Sequence, residues 1–172
     1  RAGLLCNDAG LREDSGVWRI DGDPTEGALL TAAAKAGFAA GSEHGRAPRL
    51  DAIPFESEHQ YMATLHGGAS PMVYLKGSVE ALLSRCNWAL DRDGTVVPVD
   101  PEGVRVRVDA LAAQGLRVLA FARMDGAGRS GIDHPDVASG LTFLGLQGMI
   151  DPPRVEAVRA VAACRRAGIS VK

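Results

Sequence analysis

The chain has 172 residues and a formal net charge of −2, and 46% of its residues are hydrophobic although only 5% are aromatic. This length suits one compact domain, with room for part of a second. The near-balanced charge gives no electrostatic reason to expect nucleic acid or an anionic membrane surface, so we expect neither as a partner. No apolar run approaches the roughly 18 residues of a membrane span, and we expect no signal peptide.

The cysteines predict a reducing compartment. Cys6, Cys86 and Cys164 are odd in number and far apart in the chain. Their spacing is not that of a zinc site, and we predict reduced thiols in a cytosolic setting and no metal ligands.

The first part of the chain contains a strongly capped helix. The predicted elements are the end of a short helix at 4–9, a strand at 17–20 and a helix at 24–35 that ends at Gly37. Asp23 is a good N-cap and Pro24 suits the first helical position. Glu26 stands where a capping box places its carboxylate, so a capping role alone is one interpretation of this residue.

The middle of the chain predicts an antiparallel hairpin. The predicted elements are a loop at 39–48, strands at 50–55, 62–66 and 72–76, and a helix at 79–85. Pro54 favours an edge strand or a bulge. Ser78 can cap the helix, and Glu80 suits its positive end. Lys76 therefore stands at a strand end, where Gly77 leaves room for a ligand ring beside the backbone.

The last part of the chain changes from one predicted type of fold to another. The predicted elements are a turn at 91–94, a helix at 101–114, a strand at 116–122, a loop at 125–140, a strand at 141–150, a helix at 155–167 and a strand at 169–172. Asp151-Pro152-Pro153-Arg154 forces a change of direction between the last two strands. The final helix and strand are typical of the start of a parallel α/β unit. The chain opens without an initiator Met, so we expect it to be a piece of a longer protein.

We therefore predict an α+β fold, with a mostly antiparallel twisted sheet flanked by helices. Residues 1–150 form one domain, and residues 151–172 contain a hinge with the first helix and strand of another.

Four residues together suit an adenine nucleotide. Phe55 can stack on the base, which is worth roughly 1–3 kcal/mol. Lys76 and Arg117 can meet the phosphates, and Glu26 can accept from the adenine amino group. Neither a Gly-x-x-x-x-Gly-Lys-Ser/Thr loop nor a Gly-x-Gly-x-x-Gly fingerprint is present, so a glycine-rich helix start does not bind the phosphates.

Six ordered segments resemble the nucleotide-binding (N) domain of P-type cation-transporting ATPases of the calcium, proton and sodium pump branch. The family patterns are Leu-Cys-Asn-x-Ala, Gly-Asp/Glu-x-Thr-Glu-x-Ala-Leu, Pro-Phe-x-Ser, Lys-Gly-Ala/Ser-x-Glu, Gly-x-Arg-Val-Leu and Asp-Pro-Pro-Arg. The matching segments lie at 5–9, 22–29, 54–57 with Met62, 76–80, 115–120 and 148–154. They span nearly the whole chain, and their common order makes the resemblance specific.

The resemblance implies a role for each matching residue. Phe55 stacks on adenine, Glu26 lies at its amino edge, and Arg117 reaches the phosphates. Lys76 lies deep in the pocket near the ring and ribose. The full set of implied nucleotide-binding residues is Glu26, Phe55, Ser57, Met62, Lys76, Gly77, Ser78, Arg117 and Leu119, in which Gly77 and Ser78 give room and Met62 and Leu119 line apolar walls. The implied hinge is Asp151, Pro152, Pro153 and Arg154.

The implied function is to carry ATP to a phosphorylation domain, which transfers a phosphoryl group to its own aspartate in a membrane cation pump. The family's Asp-Lys-Thr-Gly-Thr motif is not in this chain. We therefore expect no catalytic residues here, and nucleotide binding without turnover. Mg²⁺ would be held mainly by the ATP phosphates and the phosphorylation domain. The implied partners are the phosphorylation, actuator and transmembrane domains of the same polypeptide, without direct membrane contact, and the implied location is the cytoplasmic side of an integral membrane protein.

Departures from the family pattern keep other interpretations open. Ser57 and Gln60 stand where muscle-type calcium pumps carry cations, which predicts low nucleotide affinity. An interaction or regulatory module that has lost its nucleotide is therefore the alternative function. A phosphatase of the haloacid-dehalogenase type lacks its nucleophile motif here. Ser57-Glu58-His59-Gln60 resembles the Ser-Glu-His-Pro motif of heavy-metal pumps without its proline, and we interpret His59 as a surface residue.

Overall fold

The secondary structure follows the chain as short strands and capped helices. The computed structural model describes residues 1–150 and 155–171. Its helices are α1 Ala2–Leu5, α2 Pro24–Lys35, α3 Ala40–Arg46, α4 Val79–Leu83, α5 Pro101–Ala112 and α6 Val155–Arg166, with a 3₁₀ helix at His134–Val137. Its strands are β1 Gly10–Asp14, β2 Val17–Asp21, β3 Arg49–Glu56, β4 Tyr61–His66, β5 Met72–Gly77, β6 Cys86–Leu90, β7 Val96–Pro98, β8 Arg117–Asp125 and β9 Leu141–Met149.

Seven strands form one open sheet in the order β3-β4-β5-β8-β9-β6-β7, and β1 and β2 form a separate hairpin. Every neighbouring pair is antiparallel except β6 and β9, which are parallel. The predicted α+β class with a mostly antiparallel sheet is confirmed.

One face of the sheet packs against α4 and α5. Ala63, Leu75 and Ala122 are directly opposite one another on neighbouring strands, so their side chains share this face. They form one buried cluster with Leu82 of α4 and Val104 of α5.

The opposite face packs against α1 and α2. Met62, Lys76 and Phe121 form the adjacent row of opposite residues, so they point to this second face. Met62 and Phe121 belong to a buried cluster with Leu4 of α1 and Leu29 of α2. The predicted site therefore lies on the face covered by α1 and α2, which we call the α1/α2 face.

The structure corrects three local predictions and adds one strand. The helix expected to end at 4–9 stops at Leu5. Residues 39–48 were expected to be a loop, but α3 forms there, since buried Glu43 pairs with Arg1 at 2.6 Å and Arg46 at 3.5 Å. The sequence analysis did not predict β1, which pairs with β2 through a tight turn at Ser15 and Gly16, both with positive φ as such hairpins require. No strand forms at 169–171, because a strand needs a paired neighbour and none of the described residues provides one.

None of the described helices combines the length and the apolar character needed to cross a membrane.

Acid should destabilise the fold through His66. This side chain is fully buried, with Nδ1 3.0 Å from the Ala47 carbonyl oxygen and Nε2 2.9 Å from Thr64 Oγ1. Burial lowers the pKa of His66 below its ordinary value of 6.5. The unfolded chain therefore binds the proton more readily than the folded chain, and the free energy of unfolding should fall as the pH drops below about 6.5.

Urea unfolding at about pH 7.5 and about pH 5.5 measures this loss. His66→Gln should reduce the difference between the two pH values strongly, whereas His44→Gln, at an exposed position whose charge is a lesser cause of the lowered His66 pKa, should reduce it much less. An equal difference in wild type and His66→Gln would assign the acid sensitivity to other groups.

Candidate nucleotide-binding site

The centre of the candidate site is a buried ion pair between β5 and α2. Lys76 Nζ donates to Glu26 Oε1, and the two side chains are 8% and 17% exposed. Glu26 Oε2 also accepts from the Asp8 backbone N–H at 3.1 Å. Both charges are thus held in place by other protein groups on the α1/α2 face.

Glu26 is more than a capping residue. Asp23 caps α2 by accepting from the backbone N–H groups of Thr25 at 2.8 Å and Glu26 at 3.2 Å. The Glu26 carboxylate contacts Lys76 and Asp8 instead of closing a capping box. Both members of the ion pair are site candidates in the sequence, but their pairing is visible only in the structure.

Phe55 lies in a bulge at the sheet edge. Ile53 pairs with Ala63, but Glu56 pairs with Tyr61, so Pro54 and Phe55 together face the single residue Met62. The edge position and bulge predicted from Pro54 are confirmed. Because Met62 pairs with Lys76, the bulge places Phe55 at the end of the row that contains the ion pair. Phe55 is 59% exposed, which is unusual for a large aromatic side chain.

Arg117 and Leu119 extend the site along β8. They alternate with Phe121 on one face of the strand, and Phe121 pairs with Lys76. Leu119 packs half-buried against the cluster on the α1/α2 face, whereas Arg117 is exposed. Arg117 lies four residues, or about 13 Å, along β8 from the Lys76 row. This alternation could have identified Phe121, which the sequence analysis did not name.

The charge of Arg117 acts on the start of α2. Burial acts to raise the pKa of Asp23, but hydrogen bonds from Glu26 and Thr25 and the positive charge of Arg117 outweigh it and lower that pKa. The positive charge of Arg117 therefore contributes to stabilising the Asp23 carboxylate at the N-terminal end of α2.

Gly77 and Ser78 have packing roles of their own. A Cβ at Gly77 would lie 2.8 Å from Tyr61 Cα, so the close approach of β4 and β5 itself requires glycine. Ser78 is the predicted N-cap of α4: its Oγ accepts from the Ala81 N–H at 3.2 Å and donates to Gln60 Oε1 at 3.1 Å. Ser57 is exposed in the turn after Phe55.

The candidate site is an open surface. Phe55 and Arg117 are exposed at its two ends, with the ion pair buried between them. A cavity of about 380 Å³ lies elsewhere on the α1/α2 face, between α1 and strands β8 and β9, and no predicted site residue lines it. The predicted hinge residues Asp151, Pro152, Pro153 and Arg154 lie outside the described residues.

The fold and this surface define an α+β domain in which one face of an open antiparallel sheet combines an exposed aromatic ring, an exposed cation and a buried ion pair. The family model described as P-type ATPase, cytoplasmic domain N, matches residues 1–156, and the chain belongs to this family. The resemblance found in the sequence motifs is therefore confirmed.

Curated relatives agree with this family. The chain is 55% identical over 171 residues to the cation-transporting ATPase pma1 of Synechocystis sp., covering 99% of this chain and 19% of that protein. It is 47% identical over 173 residues to the probable cation-transporting ATPase F of Mycobacterium tuberculosis, with coverages of 99% and 19%. It is 34% identical over 173 residues to a calcium-transporting ATPase of Bacillus subtilis, with coverages of 97% and 19%. The chain thus spans about a fifth of the length of these relatives.

Proposed function

We propose that this chain is the ATP-binding domain of a membrane cation pump and presents ATP to a separate phosphorylation domain. The observation that carries the proposal is the exposed Phe55 beside Met62, in the same row as the buried Lys76–Glu26 pair. Arg117 is exposed on the same face, further along the sheet.

The apolar part of this surface suits a purine. Stacking on Phe55 would cover a ring that is 59% exposed, and base–aromatic stacking is worth roughly 1–3 kcal/mol. Leu119, which is half-buried, can supply an apolar contact beside the base, whereas Met62 is only 1% exposed and lies opposite Phe55 inside the core rather than on the open surface. Both already pack in the cluster on the α1/α2 face, so they are held without the ligand.

The polar part of the surface suits the rest of the nucleotide. The Lys76–Glu26 pair would lie near the adenine amino edge and ribose. Because the two charges neutralise each other, this part of the site is suited to an uncharged ring rather than to phosphates. Arg117 is the cation proposed for the phosphates, since a guanidinium is suited to bidentate contacts with phosphate oxygens. Ser57, Gly77 and Ser78 would border the pocket.

The remaining assignments follow from this role. Residues 1–150 are the nucleotide-binding domain, and residues 151–172 contain the hinge and first helix of the phosphorylation domain. The chain binds ATP without hydrolysing it, because phosphoryl transfer needs the aspartate and the metal site of that other domain. Mg²⁺ accompanies the ATP phosphates. The phosphorylation, actuator and transmembrane domains of the same polypeptide are the proposed partners, and the cytoplasmic side is the proposed location.

Titration of the chain with ATP, followed by backbone-amide NMR shifts, tests the proposal. We expect saturable shifts around Phe55, Lys76 and Arg117. Adenosine should cause the shifts near Phe55 but not those near Arg117. No shifts at several millimolar ATP would contradict the proposal and favour an interaction module.

Arg117→Ala separates phosphate binding from base binding. A hydrogen bond to a charged group contributes about 1.5–3 kcal/mol, and the exposed position of Arg117 puts it at the low end, so ATP affinity should fall roughly tenfold. Adenosine affinity should not change. Arg92→Ala, at an exposed arginine in the β6–β7 turn, is the matched control and should leave both affinities unchanged. An equal loss for ATP and adenosine in Arg117→Ala would remove the phosphate role.

A further inference from the structure

Three metal-ligating side chains meet on the surface beside the β3 bulge. They are Glu56 at the end of β3, His59 in the following turn and His134 at the start of the 3₁₀ helix. One ligand atom from each residue lies within 4.8 Å of the others. His59 Nε2 is 3.5 Å from Glu56 Oε2, and the two imidazole ring centroids are 4.1 Å apart.

These distances suit a tetrahedral metal site. Metal–ligand bonds of about 2.0–2.2 Å in a tetrahedron place neighbouring ligand atoms about 3.4 Å apart. The Glu56–His59 pair already has this separation. The side chains of Glu56 and His59 are 52% and 34% exposed, so both have freedom to rotate and close the remaining distances.

His134 is oriented by groups outside the cluster. Its Nδ1 is 2.6 Å from the hydroxyl oxygen of the buried Tyr61, which leaves Nε2 for a metal. Metal-binding histidines commonly have their second nitrogen engaged in this way, because the contact fixes the tautomer and the ring orientation.

The backbone that carries His134 is itself held to the sheet. Asp133 and Asp136 form a capping box around the 3₁₀ helix. Asp51 Oδ2 of β3 accepts from the Ile132 N–H at 2.9 Å. The loop that brings His134 to Glu56 and His59 is therefore positioned without a metal.

The local charge also favours a cation. Glu58 adjoins His59 in the chain, and Asp133 adjoins His134. Two arginines lie nearby, and each is engaged by another group. The guanidinium carbon of Arg85 lies 4.7 Å from the centroid of the Tyr61 ring, and Arg129 pairs with Asp136 at 2.7 Å.

We propose that Glu56, His59 and His134 bind a divalent transition metal of the zinc type. Two imidazoles and one carboxylate select Zn²⁺, Co²⁺, Ni²⁺ or Cu²⁺ over Mg²⁺ and Ca²⁺, which prefer oxygen ligands. The metal would fasten the loop at 126–140 to the turn after β3. Glu56 follows Phe55 directly, so the bound metal would also restrain the bulge that carries this aromatic ring.

Titration of the tag-free, chelator-treated chain with Co²⁺ tests the site through the visible absorption of tetrahedral cobalt. We expect one bound ion that Zn²⁺ displaces and excess Mg²⁺ does not. His134→Ala should weaken binding more than about 100-fold, which exceeds the usual cost of losing only an outer-shell partner. Tyr61→Phe removes only the hydroxyl and should weaken it about tenfold.

His44→Ala is the matched control, because His44 is exposed and lies outside the cluster. It should bind Co²⁺ like the wild type. Equal affinities of His134→Ala and His44→Ala would overturn the proposal, as would a cobalt spectrum typical of octahedral coordination by water. His59→Ala, at a partly exposed turn position that does not support the core, gives a second variant with the same expected loss as His134→Ala.

Discussion

Glu26→Ala should lower the free energy of unfolding by about 3 kcal/mol, the lower end of the cost of breaking a buried ion pair. The variant leaves the Lys76 ammonium, whose side chain is only 8% exposed, without its counter-charge. It also removes the acceptor of the Asp8 backbone N–H. The partial exposure of the Glu26 side chain, 17%, is the reason for the lower end of the range.

Glu102→Ala is a matched control for this loss. Glu102 also stands in the first turn of a helix that begins with Asp and Pro, and it pairs with Arg105 at 3.3 Å, but its side chain is 79% exposed. An exposed pair of this kind should contribute less than about 1 kcal/mol. Denaturant unfolding midpoints measure the loss of stability in each variant. Equal losses in Glu26→Ala and Glu102→Ala would show that the buried pair stabilises the fold no more than the exposed pair does.

A double substitution separates the pair from its members. Glu26→Leu with Lys76→Met replaces both charges by apolar side chains of similar size, so no uncompensated buried charge remains. The double variant should be more stable than Glu26→Ala. For the same reason Lys76→Ala alone is a poor probe of nucleotide binding. That variant leaves Glu26 without its partner, so it changes the stability of the fold as well as the site.

Phe55→Ala should weaken ATP binding about 5- to 150-fold, which corresponds to the roughly 1–3 kcal/mol of base–aromatic stacking. Adenosine binding should weaken by the same factor, because the lost contact is with the base and not with the phosphates. The free energy of unfolding should change little, since the Phe55 residue is 59% exposed and its truncation opens no cavity in the core.

Trp18→Ala controls for the loss of any exposed aromatic side chain. Trp18 is 65% exposed and lies on β2, in the hairpin outside the main sheet. Its substitution should leave ATP affinity unchanged, and Phe55→Trp should retain most of the binding because a larger ring still stacks. Wild-type affinity in Phe55→Ala would place the base elsewhere and remove the central argument for the proposed site.

The capped helices and the strands of the site could be predicted from short patterns. Asp23 followed by Pro24, and Ser78 before Val79, start helices where they were expected. The alternation at 62–66 and the apolar run that ends at Lys76 predict a hairpin, and the proline before Phe55 predicts an edge strand or a bulge; the hairpin, the edge position and the bulge are all present. These features can be predicted from the sequence because each depends on the local backbone geometry of a few adjacent residues.

The pairing of residues far apart in the chain could not be predicted from such short patterns. Motifs in the sequence identify Glu26 and Lys76 separately, but whether their charges meet depends on how α2 packs against β5. The same holds for His134, which reaches Glu56 and His59 only because Asp51 and Tyr61 hold its loop. The parallel pairing of β6 with β9 also joins segments far apart in the chain.

The sequence by itself therefore determined the family, the fold class and the candidate residues for ATP binding, because ordered motifs and capping patterns are properties of neighbouring residues. Only the tertiary structure decided that α3 forms at Ala40–Arg46, where buried Glu43 pairs with Arg1. It also decided that Lys76 is buried against Glu26 while Phe55 stays exposed. Burial and ion pairing depend on which elements pack together, and local propensity carries no information about that.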